Sequence, residues 1–196
     1  MNPYSNIQQL KKNKHTPAQT AIRTAFLRLY AKKSFHDISV KKLCAEASVA
    51  RTTFYANYSN TDSLLAEIED EVVFDVLKVH EDLFEDEDLR TNLRLFLESA
   101  LKFLSENKPT LYPLLVVQPD MRLIEKWKTA MKYHFWEQLY EIKNINNRDL
   151  FLEVLASSTI SVYVYWLKEP QSINWREVSQ ILITALTSHI DNSYET

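Results

Sequence analysis

In the stretch CAEASVARTTFYANYSN, residues 44–60, one arginine stands among hydroxyls, amides and aromatic rings, and no carboxylate occurs between Glu46 and Asp62. Arg51, Thr52, Thr53, Tyr55, Asn57 and Tyr58 supply hydrogen-bond donors and acceptors, methyl groups and flat rings. That combination suits contact with the edges of base pairs. Amides and hydroxyls match the groove's donors and acceptors, threonine and alanine methyls can meet thymine methyls, and a surface without carboxylates is not repelled by phosphates. Lys41 and Lys42, together with the arm Lys11-Lys12-Asn13-Lys14, are placed to track a phosphate backbone or a minor groove.

Other chemistries lack their residues. The chain of 196 residues contains no glycine, and the phosphate-cradling and nucleophile-elbow motifs need glycine for positive φ or close backbone approach. Cys44 is the only cysteine, so an internal disulfide and a Cys-rich metal site are excluded, and an inert buried thiol is expected. His80-Glu81 begins an H-E-x-x-H pattern, but Phe84 takes the second ligand position, and no histidine follows a glutamate by three residues. Glu67 and Glu71 form a carboxylate pair that reads as solvated charge on an acidic helix. No catalytic residue, metal ligand or cofactor is therefore predicted, and the chain is not expected to be an enzyme.

The elements that must position the candidate residues follow from helical spacing. Ile22, Ala25, Phe26, Leu29 and Tyr30 make one stripe. Thr16 can cap that helix and Pro17 suits its first position, which predicts a helix over 17–33. Ser39 caps a second helix over 40–46, with Ile38 stapled onto Leu43. A third, short helix is predicted over 50–57, with Val49, Phe54 and Tyr58 inward and Thr52, Thr53 and Tyr55 or Ala56 outward. Asn60 or Thr61 opens a long fourth helix ending in the acidic run 85–88. Further helices are predicted around Leu93–Leu104, over 120–143, over 148–167 and over 174–190, with a short apolar piece at 111–117. The fold class is all-α, with about nine helices. Lacking glycine, its turns should use Asn, Ser, Asp and Pro.

Charge is uneven along the chain. Residues 1–65 hold ten Lys/Arg against three Asp/Glu, a net of +7, and the remainder holds 13 against 23, a net of −10. One end should attract polyanions and the other repel them. No run approaches the roughly 18 apolar residues of a membrane span. The start MNPYSNIQQLKKNK lacks the apolar core of a secretory signal, so no membrane association and a cytoplasmic location are predicted.

Two short helices joined by a tight turn form a helix-turn-helix, whose second helix can enter the major groove. The segment from Ala21 to Leu65 resembles the DNA-binding domain of TetR-type transcriptional regulators. The resemblance rests on Ala25-Phe26, Phe35, Ile38-Ser39-Val40, Leu43-Cys44, Ala47-Ser48-Val49-Ala50-Arg51-Thr52-Thr53-Phe54-Tyr55, Tyr58, Asn60-Thr61 and Leu64-Leu65. It departs from the family pattern at Ser48, where a turn glycine is usual, at Ala50, where a capping serine is usual, and at Thr61, where a phosphate-contacting lysine is usual. The resemblance implies a basic arm at 1–14, a three-helix DNA-binding domain at 15–65, and a larger helical effector-binding and dimerisation domain at 66–196. It implies a ligand-responsive dimeric repressor of a double-stranded operator, with Lys41, Lys42, Arg51, Thr52, Thr53, Tyr55, Asn57, Tyr58 and Thr61 at the DNA. The three departures leave open a co-activator or protein-interaction module acting through a protein partner.

The last two helices are the expected homodimer surface, through Val154, Ser157, Ser158, Ser161, Val162 and Tyr165 on one and Val178, Ile181, Leu182, Ala185 and Leu186 on the other. The resemblance also implies a small-molecule effector pocket among the middle helices. Tyr112, Trp127, Tyr133, Trp136, Tyr163 and Trp166, with His134 as a polar partner, could line it. The ligand itself is not predicted.

Overall fold

The computed structural model describes residues 14–80, 89–136, 147–169 and 174–191, apart from the side chains at 80, 89, 90, 135, 175 and 186–191. Nine α-helices occur among them: α1 (Pro17–Tyr30), α2 (Val40–Ala47), α3 (Arg51–Tyr55), α4 (Thr61–His80), α5 (Leu89–Glu106), α6 (Lys108–Tyr112), α7 (Met121–Ala130), α8 (Arg148–Lys168) and α9 (Trp175–Asp191). The protein is all-α, and the described residues include no strand. One 3₁₀ turn, Phe35–Asp37, links α1 to α2. Two helices continue as π-turns, α6 through Pro113–Val117 and α7 through Met131–Trp136. The acidic run 85–88, the chain at 137–146 and the arm before 14 lie outside the described residues.

Local chemistry sets the helix ends. Thr16 Oγ1 accepts from the Gln19 amide (3.2 Å) while Gln19 Oε1 accepts from the Thr16 amide (2.9 Å), a reciprocal capping box ahead of Pro17. Ser39 Oγ accepts from the Lys42 amide at 3.3 Å. Asn60, rather than Thr61, caps α4: its Oδ1 accepts from the Ser63 amide at 2.8 Å. The glycine-free turns use serine and asparagine in the left-handed region, Ser48 at φ 55° after α2 and Asn147 at φ 58° before α8. α5 ends at Glu106, and α6 begins directly after Asn107, where proline at its second position forfeits no helical bond.

The four amino-terminal helices close on Ile22, Phe26, Leu43, Phe54 and Leu64, all fully buried. A larger core joins α4 to α9 through Ile68, Leu93, Phe96, Leu104, Leu114, Leu123, Trp127, Trp136, Leu155 and Tyr163. α4 runs unbroken across 65–66, where a domain boundary is expected, so one helix belongs to both cores.

Two expectations are corrected. Val178 and Leu182 face inward at 7% and 2% exposure, so two of the five residues assigned to a dimer surface on α9 belong to the chain's own core. And α8 is long and apolar enough to cross a membrane by length and composition. Its charged residues lie near its ends, at Arg148, Asp149, Glu153 and Lys168, and Ser157, Ser158, Thr159 and Ser161 interrupt the apolar run between without making the helix polar. Here Leu152, Leu155, Ala156, Ile160, Tyr163 and Leu167 pack into the body.

Candidate nucleic-acid interface

The turn between α2 and α3 keeps the geometry that glycine usually supplies. Ser48 adopts φ 55°, ψ 39°, and the Val49 amide reaches back to the Cys44 carbonyl at 3.0 Å, satisfying the last carbonyls of α2. Ala50 then stands at the N-cap of α3 in extended geometry (φ −69°, ψ 150°) with no side-chain bond. A single residue anchors α3. Phe54 is fully buried, with the Tyr55 ring 5.5 Å away edge-on and the Tyr58 ring at 5.6 Å.

That anchor decides which neighbours face out. Arg51, Thr52, Ala56 and Asn57 are exposed, Thr53 is half-buried, and the Tyr55 ring is 58% exposed. Asn57 donates from Nδ2 to the Thr53 carbonyl at 2.8 Å, which closes the end of α3 and commits part of its amide. Lys41 and Lys42 lie exposed at the start of α2, with Lys42 Nζ donating to the Asp37 carbonyl at 3.1 Å. Thr61 is half-buried at the first turn of α4. Cys44 is buried, and burial pushes its thiol up, which opposes a reactive role.

Tyr58 faces inward, as its spacing predicts, and this conflicts with its place among the expected DNA contacts. It is 3% exposed, and its hydroxyl donates to Glu67 at 2.9 Å. Burial, then the bond to Glu67, push the phenol up to about 12. Helical spacing from Phe54 explains this, since residues four apart share a face; Tyr58 is therefore removed from the candidate contacts.

Arg23 is also withdrawn from the basic surface. It bridges Glu67 (2.7 Å) and Glu71 of α4, and His15 Nε2 sits 2.7 Å from Glu71. The Glu67/Glu71 pair is thus not solvated charge but a socket that fixes the start of α1 on α4. Ligand atoms of His15, Glu67 and Glu71 lie within 4.8 Å of one another, and the Arg23 guanidinium already supplies the cation there. Arg28, Lys32 and Lys33 remain exposed. His80, Glu81 and Phe84 fall outside the described side chains.

The body holds this module by further polar ties. Arg122 on α7 pairs with Asp62 and Glu69 of α4, each at 2.9 Å, and Lys126 pairs with Glu69 (2.8 Å) and Asp70 (2.7 Å). Glu69 is almost wholly buried, and burial raises its carboxyl pKa more than the two cations lower it. No local periodicity announces these pairs, because their partners lie 53 to 60 residues apart in sequence.

A three-helix module with a glycine-free helix-turn-helix, rooted through a shared fourth helix in a larger helical body, defines an all-α helix-turn-helix protein. Residues 22–68 match the model for bacterial regulatory proteins of the tetR family. Over its whole course the chain is similar in fold to a TetR transcriptional regulator from Streptococcus agalactiae 2603V, with TM-score 0.65 and 21% identity over 92% of this chain and 94% of that one. It is similar to the fatty acid degradation regulator FadR from Bacillus halodurans, with TM-score 0.63 and 18% identity over 89% and 98%. It is also similar to the dihydroxyacetone kinase operon activator DhaS, with TM-score 0.56 and 17% identity over 89% and 97%. No curated protein sequence matches. Residues 22–68 thus carry a tetR-type amino-terminal domain in sequence, and the whole chain shares the fold of these proteins.

Proposed function

We propose that the chain is a sequence-specific, dimeric DNA-binding regulator that acts in the cytoplasm as a ligand-responsive repressor, with 15–65 as the DNA-binding domain and 66–196 as the effector and dimerisation domain. The observation that carries this reading is the face of α3: Thr52, Tyr55, Ala56 and Asn57 are exposed and uncharged, and the cations Lys41, Lys42 and Arg51 flank them. Thr53 contributes from the edge of that face, and Thr61 offers a neutral hydroxyl to a phosphate. Selection of bound duplexes from a random pool tests the reading. Enrichment of a palindrome supports both base reading and two-fold symmetry, and a pool that stays random overturns it.

The dimer rests on α8 and α9, where Leu150, Val154, Tyr165 and Ile181 are 63%, 45%, 53% and 65% exposed. Exposed aliphatic and aromatic groups along two adjacent helices suit a four-helix contact. Light scattering at micromolar concentration should give twice the 23.1 kDa chain mass, and a monomer refutes the contact.

An effector is supported by the aromatic core. Trp127 and Tyr163 are buried with ring centres 5.9 Å apart, and neither the Trp127 Nε1 donor nor the Tyr163 hydroxyl has a protein partner. Buried donors without acceptors are costly, so a small molecule bearing an acceptor is the effector class favoured. Trp136 is also fully buried, whereas Tyr112, Tyr133, His134 and Trp166 are only partly so. The effector acts only if it binds one geometry of the paired recognition helices better than the other. One similar fold, DhaS, is described as an activator, which keeps the co-activator reading in view. Co-purification of a protein partner, without operator enrichment, would favour it.

A further inference from the structure

The carboxyl end of α1 is fastened by a residue that lies 85 to 88 positions further along the chain. Gln118 Nε2 donates to the Tyr30 and Lys33 carbonyls, and the Tyr30 hydroxyl returns a bond to the Gln118 carbonyl at 3.3 Å. A helix end leaves its last carbonyls without partners, and here a side chain from the body supplies the donors. The far side of the contact is itself fixed. The Gln118 amide closes the π-turn onto the Pro113 carbonyl (3.1 Å), and the Asp120 amide bonds the Leu114 carbonyl (2.7 Å). Leu114 is fully buried, and Asp120 Oδ1 accepts from the Arg122 amide at 2.9 Å, capping α7.

We infer that Gln118 is a positioning residue for DNA reading, clasping α1 to the body so that α3 is presented at one angle. This rests on the DNA-binding function proposed above. α1 is roughly 21 Å long at 1.5 Å per residue. Its first half is held on α4 through Arg23, and its last turn is held on the segment joining α6 to α7 through Gln118. With the second attachment gone, the module can swing about the first. Each half-site contact would survive, but the distance between two recognition helices in a dimer would no longer be set. Tyr30 remains a donor throughout the working pH range, because burial, then Asp120 and Glu69, push its phenol up to about 12.

Gln118→Ala and Tyr30→Phe, compared with the unaltered chain, test this by duplex selection and by titration of a paired site and a single half-site. The expected result for Gln118→Ala is an unchanged half-site consensus, a wider range of half-site spacings, and paired-site affinity lower by roughly tenfold. Single half-site affinity should stay within about twofold, since the base contacts are intact. Tyr30→Phe keeps the buried ring and loses one bond, so a smaller shift in the same direction is expected even if Gln118→Ala does not fold. A structural role alone would lower the melting temperature without widening the spacing. Spacing and paired-site affinity that match the unaltered chain in both variants overturn the inference while leaving the function standing. An unaltered chain that selects no paired site overturns the function and this role with it.

Discussion

Tyr55 and Lys42 stand for two kinds of contact, and they should fail differently. Tyr55 projects a mostly exposed ring and hydroxyl, and substitution at 55 takes from the buried anchor Phe54 one edge-on ring contact. Tyr55→Ala should therefore weaken the selected duplex by about 1–3 kcal/mol with little change on random DNA; competition titrations measure both. Thr53→Ala should act in the same direction and more weakly, because Thr53 is half-buried. Lys42→Ala should weaken both kinds of duplex and flatten the salt slope by about one unit. A slope equal to that of the unaltered chain would remove Lys42 from the phosphate contacts. The residue types at this face and the inward turn of Phe54 and Tyr58 were legible in sequence, but the partner of the Tyr58 hydroxyl was not. Phe54 and Tyr58 share a face four residues apart, so the hydroxyl that looked suited to bases instead meets Glu67.

The helix-turn-helix carries two local costs that substitution should relieve. Ser48 holds the left-handed conformation with a Cβ, and Ser48→Gly should raise stability by roughly 1 kcal/mol, read as a higher denaturation midpoint with the selected duplex unchanged. Ala50 occupies the N-cap of α3 with suitable backbone geometry and no acceptor. Ala50→Ser should add about 1 kcal/mol by accepting a free amide of α3. If neither variant is stabilised, other contacts already over-determine the turn. The caps at Thr16 and Ser39 were readable because capping depends on residues three apart. The π-turns after α6 and α7 were not, since an extra residue in a turn leaves no compositional mark.

Across the whole molecule, ion ties between distant helices give a pH dependence with a definite sign. Glu153 on α8 accepts from Lys128 (2.6 Å), from Lys132 and from Ser157 (3.1 Å), and the two lysines bring its carboxyl down to about 2. An unfolded glutamate titrates at about 4.3. The folded value is the lower, so this contribution is complete above the unfolded value and is lost as pH falls toward 2. Glu125 also pairs with Lys128, at 2.7 Å, and retains that lysine when Glu153 is neutralised. Glu153→Gln should therefore lower the melting temperature at pH 7, with the gap to the unaltered chain closing as the pH approaches 2. A gap independent of pH would show that packing, not charge, carries the effect.

By itself the sequence determined the all-α class, the helix-turn-helix and most helix starts, because apolar spacing, capping hydroxyls and the lack of glycine act over a few neighbouring residues. Tertiary structure alone decided which of those polar groups remain available. Arg23 turns to Glu67 and Glu71, the Tyr58 hydroxyl meets Glu67, and Val178 and Leu182 enter the chain's own core. It also brought Gln118 to the end of α1 and Arg122 and Lys126 to Glu69. The physical reason is range: a periodic pattern tells a helix which face to bury, but the partner of that face is chosen only when elements dozens of residues apart meet.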